Sequence, residues 1–156
     1  MMGEPGDVEF LRICIGEALA AELAGEVPVG AVVVYKGEII ARGQNRVLRD
    51  HDPTAHAEMM ALRAAGRYFA NYRMPQENDG CALYCTLEPC AMCAGAILHA
   101  RVARLIYGAP DPKAGACGSV LAVMNHPRLN HKVEVVSGLM SEECGALLTT
   151  FFRRRR

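Results

Sequence analysis

Several absences bound what this 156-residue chain can be. Its formal net charge is zero, with 17 basic residues against 17 acidic ones, so bulk charge announces no nucleic-acid or membrane binder. No apolar run approaches the ~20 residues of a membrane span. No hydrophobic secretory segment precedes the first expected helix, and neither an internal repeat nor a low-complexity linker marks a second domain. The chain is therefore read as one domain over residues 1–156, a size that buries about two thirds of its unfolded surface and needs no disulfide staple. Seven cysteines is an odd count, which points to a reduced, cytoplasmic compartment rather than a disulfide framework.

What is present is an alternation of helical and strand periods. Asp7 is expected to cap a helix over residues 7–24, with Leu11, Ile15, Leu19 and Leu23 on one face and Gly25 ending it. A β-branched run over residues 29–35, a tight turn at Lys36-Gly37 and a return over 38–42 read as a hairpin. Asp52-Pro53-Thr54 opens a second helix that stops near Gly66. A buried strand over 81–86, a helix to about Ala100 and a strand over 102–107 form a strand, helix, strand unit, which favours parallel pairing. A last strand over 132–137 leads to a helix opened by Ser141, with Cys144, Leu147, Leu148, Phe151 and Phe152 as its apolar stripe. The fold class is α/β, a three-layer α/β/α sandwich around a central mixed sheet.

The chemistry is concentrated in two separated motifs, His56-Ala57-Glu58 and Pro89-Cys90-Ala91-Met92-Cys93. Imidazole nitrogen and thiolate sulfur suit zinc, and three protein ligands leave a fourth tetrahedral position for water. His56, Cys90 and Cys93 are the candidate ligands, and the metal lowers the pKa of its water to about 7, so hydroxide is available at neutral pH. Glu58, two residues beyond a ligand, is placed to take and return a proton without binding the metal. Thr86-Leu87-Glu88-Pro89 reads as a helix start with proline at its first position, which puts Cys90 and Cys93 on one face at i, i+3 near the positive end of the helix dipole. Residues two apart do not share a helix face, so His56 and Glu58 must diverge or lie where the first turn is irregular. A CxxC pair alone also fits a structural zinc half-site, a redox dithiol or two core cysteines. A closed structural site needs a fourth ligand, for which Cys81, Cys85 and His99 are the candidates. Cys14, Cys117 and Cys144, with Cys81 and Cys85, otherwise read as small packing residues.

Pro53-Thr54-Ala55-His56-Ala57-Glu58, the run from Thr86 through Cys90 and Cys93 to Ala96, and Asn125-His126-Pro127 with Asn130-His131 resemble the bacterial tRNA-specific adenosine deaminases. The resemblance runs from about Val8 to Phe152 and includes Glu26-Val27-Pro28-Val29-Gly30-Ala31 and Asn71-Tyr72-Arg73. The zinc motif itself is common to cytidine, guanine and deoxycytidylate deaminases, and the outlying segments point to the tRNA enzymes. The resemblance implies a cytidine deaminase-like fold, one zinc ion per chain, a homodimer, and hydrolysis of adenosine to inosine at the wobble position in the anticodon arm of tRNA, with Glu58 as proton shuttle. It also implies that Asn45 hydrogen-bonds the flipped base with Val29 and Ala57 near it. Asp111, Lys113 and His126 then line the loop that holds neighbouring nucleotides, and Phe151, Phe152 and Arg153 contact the anticodon arm.

Local charge leaves the substrate more open than the metal. Residues 153–156 form a basic end to the last helix, and Arg101, Arg104, Arg128, His131 and Lys132 lie on expected loops and element ends, where grouped cations neutralise phosphates. Arginine at a helix C-terminus equally complements the dipole. Three other functions stay open: a zinc deaminase of free cytidine, cytosine or guanine, a deaminase-like partner subunit without catalysis, and a structural zinc module. The loop Pro75-Gln76-Glu77-Asn78-Asp79-Gly80 departs from the family pattern in length, which bears on the surface around it and on the homodimer.

Overall fold

The computed structural model describes residues 3–155. Its elements follow in the order α1 (Asp7–Leu23), β1 (Gly30–Tyr35), β2 (Glu38–Gln44), α2 (Ala57–Phe69), β3 (Cys81–Leu87), α3 (Ala91–Ala100), β4 (Arg104–Ala109), β5 (Glu134–Ser137) and α4 (Ser141–Arg154). The strands form one sheet in the order β2-β1-β3-β4-β5. The hairpin partners β1 and β2 are antiparallel, as are β1 and β3, whereas β3, β4 and β5 run parallel to one another. The crossover through α3 produces the first parallel pair, as the strand, helix, strand reading expected. Helices cover both faces of the sheet, α2 and α3 on one and α1 and α4 on the other.

Strand alternation divides the core. Ala31, Val33, Leu83, Cys85, Leu105 and Tyr107 point toward α2 and α3, while Val32, Val34, Tyr84 and Ile106 point toward α1. β1, β3 and β4 are buried on both faces, which explains their nearly unbroken apolar runs. α2 reaches β2 through a close backbone approach at Gly43. A Cβ there would lie 2.5 Å from the Ala61 nitrogen and closer still to the Ala57 carbonyl oxygen. Glycine lets the first two turns of α2 sit directly on the sheet.

Two helical expectations are corrected. The buried face of α1 is Leu11, Cys14, Ala18 and Ala21, with Leu19 and Leu23 exposed. Small residues face the sheet because β1 runs so near, and the larger leucines are turned outward. Asp7 is the first residue of α1 rather than its cap, and its carboxylate is directed into the fold. At the sheet end away from the C-terminal ends of β3 and β4, it accepts hydrogen bonds from Tyr84 and Arg104. Arg104, read as a surface cation, is consequently held inside a cluster with Asp7, Glu4 and Glu134.

Candidate metal centre and active site

Two helix starts meet beyond the C-terminal ends of β3 and β4. His56 is the N-cap of α2 and Cys90 the N-cap of α3, both with extended backbone, and Cys93 lies in the first turn of α3. β3 continues to Leu87, so Pro89 precedes the helix rather than occupying its first position, and Cys90 stands just outside it. The i, i+3 relation still brings the sulfurs together. His56 Nδ1 lies 3.7 Å from Cys90 Sγ and 3.6 Å from Cys93 Sγ. Zinc bonds of ~2.3 Å to sulfur and ~2.05 Å to nitrogen at a tetrahedral angle require a separation of about 3.6 Å, so the donor set fits zinc in both chemistry and spacing.

The donor atoms of His56, Cys90 and Cys93 all lie within 4.8 Å of one another, and no further His, Cys, Asp or Glu joins that group among the described residues. A closed four-ligand site is thereby set aside. Hydrogen bonds from Cys93 and from His56 pull the Cys90 thiol down to about 3. The bond to Cys90 and burial push the Cys93 thiol up, and the contact with Cys90 raises His56. The positive ends of two helix dipoles further favour thiolate here.

Because His56 precedes the helix and Glu58 is its second residue, the two side chains diverge from the same turn. Glu58 is buried, with 4 % of its surface exposed. Burial raises its carboxyl above the usual range, opposed by its own backbone N–H and by His56. Asp52 shapes the approach to this turn by accepting hydrogen bonds from the Thr54 N–H at 2.8 Å and the Thr54 hydroxyl at 2.7 Å.

His56, Cys90 and Glu58 line a cleft of about 200 Å³ whose walls also include Val29, Asn45, Ala57, Glu88 and Asp111, while Cys93 is fully buried. Asn45 is held by Nδ2 donating to the Val27 carbonyl and Oδ1 accepting from the Val47 N–H. A second groove, sharing Val27, Leu87 and Asp111 with the first, runs past Lys113 to Phe152 on α4. The remaining sequence candidates lie elsewhere. His126 is exposed outside both grooves, where its ring accepts the Arg128 N–H. Phe151 is buried beneath Phe152 and is covered by the Arg155 guanidinium, so it is a core residue rather than a contact surface. Arg153 is exposed at the end of α4, and Arg156 lies outside the described residues.

Sequence reasoning missed two buried carboxylates that shape the cleft. Glu26 accepts the Leu48 and Arg49 N–H groups and the Arg49 side chain, fixing the turn after Asn45. Glu88 accepts from the Asp111, Cys117 and Ser119 N–H groups and the Ser119 hydroxyl. Burial raises both carboxyls, but these hydrogen bonds outweigh it and hold them below the usual range. Their donors come from 22 to 31 residues away, so the motifs that contain them do not show what they hold.

The profile of the family described as cytidine and deoxycytidylate deaminase zinc-binding region matches residues 5–109. The chain is 45 % identical to a tRNA-specific adenosine deaminase of Bacillus subtilis over 96 % of its own length and 91 % of that protein's. It is 47 % identical to one from Haemophilus influenzae, over 96 % of its own length and 85 % of that protein's. A solved structure from studies of A-to-I editing by tRNA:A34 deaminases at the wobble position superposes with a TM-score of 0.84 at 44 % identity, covering 90 % of this chain and 99 % of the other.

Proposed function

Because the chain belongs to the cytidine and deoxycytidylate deaminase zinc-binding family, and within it to the tRNA-specific adenosine deaminases, we propose that it converts adenosine to inosine at the wobble position of tRNA. The observation that carries this reading is the convergence of the His56, Cys90 and Cys93 donor atoms beside a cleft lined by His56, Cys90 and the buried Glu58. Zinc, when bound by these three residues, lowers the pKa of a water toward 7 and so supplies a nucleophile at neutral pH. Glu58 takes a proton from the attacking water and returns protons to ring N1 and the leaving amine, so that adenosine and water give inosine and ammonia. Its burial excludes bulk water from this transfer.

The target base must leave its stack to reach the site, and an anticodon loop presents an unstacked base at low cost. Asn45 hydrogen-bonds the flipped base between Val29 and Ala57, and Asp111 closes the cleft from the other side. Lys113 and Phe152 in the adjoining groove receive the neighbouring nucleotides, with Arg153 toward the phosphates. Family membership leads us to expect a homodimer in the cytoplasm. The exposed Tyr68 and Tyr72 near the end of α2 offer surface for the second copy, and light scattering tests the dimer. No helix among the described residues is long and apolar enough to cross a membrane.

The deciding experiment offers the zinc-loaded protein an anticodon stem-loop with adenosine at the wobble position, alongside free adenosine, cytidine and guanine. Inosine formed in the stem-loop alone supports the assignment. Turnover of a free base or nucleoside instead would keep the zinc chemistry and remove the tRNA.

A further inference from the structure

Glu88 is outside the His56, Cys90 and Cys93 donor group, yet it is the most heavily hydrogen-bonded carboxylate lining the cleft. Its Oε1 accepts the Asp111 N–H at 3.0 Å and the Ser119 hydroxyl, and its Oε2 accepts the Cys117 N–H at 2.9 Å and the Ser119 N–H at 3.1 Å. Gly115 presses on it from the same loop, since a Cβ at that position would come within 2.5 Å of Oε2. The loop over residues 111–119 is thus wrapped around one buried anion, and Asp111 and Ala114 from it form a wall of the cleft. Glu88 is also only two residues from Cys90, so the loop and the metal ligand are tied to one short segment.

We propose that Glu88 is a positioning residue: it anchors the 111–119 loop as a wall of the cleft, and through that wall sets the affinity for the anticodon-loop substrate without entering the chemistry. The role rests on the tRNA deaminase function. A carboxylate offers four lone pairs to four donors, whereas an amide offers only two and turns an N–H₂ toward the remaining donors. Glu88→Gln therefore keeps the shape while breaking the anchor.

The test compares wild-type protein, Glu88→Gln and the milder Ser119→Ala for zinc content, stem-loop turnover and hydrogen exchange at the Asp111, Cys117 and Ser119 amides. Glu88→Gln should bind one zinc per chain, exchange faster at all three amides, and raise KM for the stem-loop roughly tenfold with kcat changed less than about threefold. Ser119→Ala should move KM in the same direction by less, and it serves alone should Glu88→Gln not fold. An active wild type with unchanged KM in the folded variants, or a fall in kcat at constant KM, overturns the positioning role alone. A wild type silent on the stem-loop overturns the deaminase function and this role with it.

Discussion

Asp7 and Arg104, 97 residues apart, meet at 3.0 Å at the sheet end far from the metal site. The pair ties the first turn of α1 to the first residue of β4, and Tyr84 from β3 donates its hydroxyl to the same carboxylate. Asp7→Asn leaves the guanidinium with less compensation in a buried setting, and should destabilise the fold by about 3 kcal/mol in urea unfolding. Turnover per folded molecule should not change, because nothing in this cluster lines the cleft.

The same pair makes the stability of the fold depend on pH. Burial alone would raise the Asp7 carboxyl, but hydrogen bonds from Arg104, Tyr84 and the Glu4 N–H hold it below the ordinary value of 3.8. A lowered folded-state pKa contributes stability that is fully present above the unfolded value and is lost as pH falls through the folded one. The wild-type advantage over Asp7→Asn should be constant between about pH 5 and 8 and shrink below about pH 4. An advantage unchanged down to pH 2 would show that the carboxylate charge contributes nothing.

Glu58→Gln isolates proton transfer from metal binding. Glutamine preserves volume in the buried site but cannot take up a proton, so zinc content should stay at one per chain while kcat falls by at least about 10²-fold. Parallel metal analysis and single-turnover assays check it. Substantial residual turnover would move the shuttle to another group.

The metal ligands were legible because their chemistry is local: three soft donors in two short motifs, each at a helix start. The mixed sheet was legible from β-branched runs and from the strand, helix, strand unit that made β3 and β4 parallel. The face of α1 was not. Leu11, Ile15, Leu19 and Leu23 have helical spacing, but the space against β1 admits only Leu11 with Cys14, Ala18 and Ala21, and that constraint comes from the neighbouring strand. The divergence of His56 and Glu58 could be posed but not resolved, because it depends on the helix beginning one residue after His56. The anchoring roles of Glu26 and Glu88, both within motifs the sequence displays, were not legible for a related reason. Only tertiary structure supplies the distant N–H groups that make a buried acid tolerable.

Gly43 sits where α2 touches the sheet, and its lack of a side chain sets the position of His56 and Glu58. Gly43→Ala forces the Ala57 carbonyl and Ala61 nitrogen away, lifting the start of α2. Overpacking of this kind costs about 1–3 kcal/mol. The displacement should also weaken zinc retention against a chelator, since the His56 nitrogen moves relative to two sulfurs held on α3. Stability loss with unchanged zinc affinity would show that the movement is absorbed farther along α2.

Phe151 and Phe152 are adjacent aromatic residues with opposite surroundings, and their alanine variants should separate stability from recognition. Phe151 is 6 % exposed and Phe152 50 %, with ring centroids 5.2 Å apart. Phe151→Ala removes a core side chain together with the Arg155 cation–π contact, and should cost about 3–5 kcal/mol in unfolding while leaving KM of the surviving folded protein nearly constant. Phe152→Ala should leave stability within about 1 kcal/mol. If a flanking base stacks on Phe152, as stacking of about 1–3 kcal/mol per base allows, the substitution should raise KM for the stem-loop roughly tenfold or more. A stem-loop with an abasic site next to the target adenosine makes the test sharper. The loss from Phe152→Ala should disappear when the abasic site replaces the base that stacks there, and persist when it replaces the base on the other side.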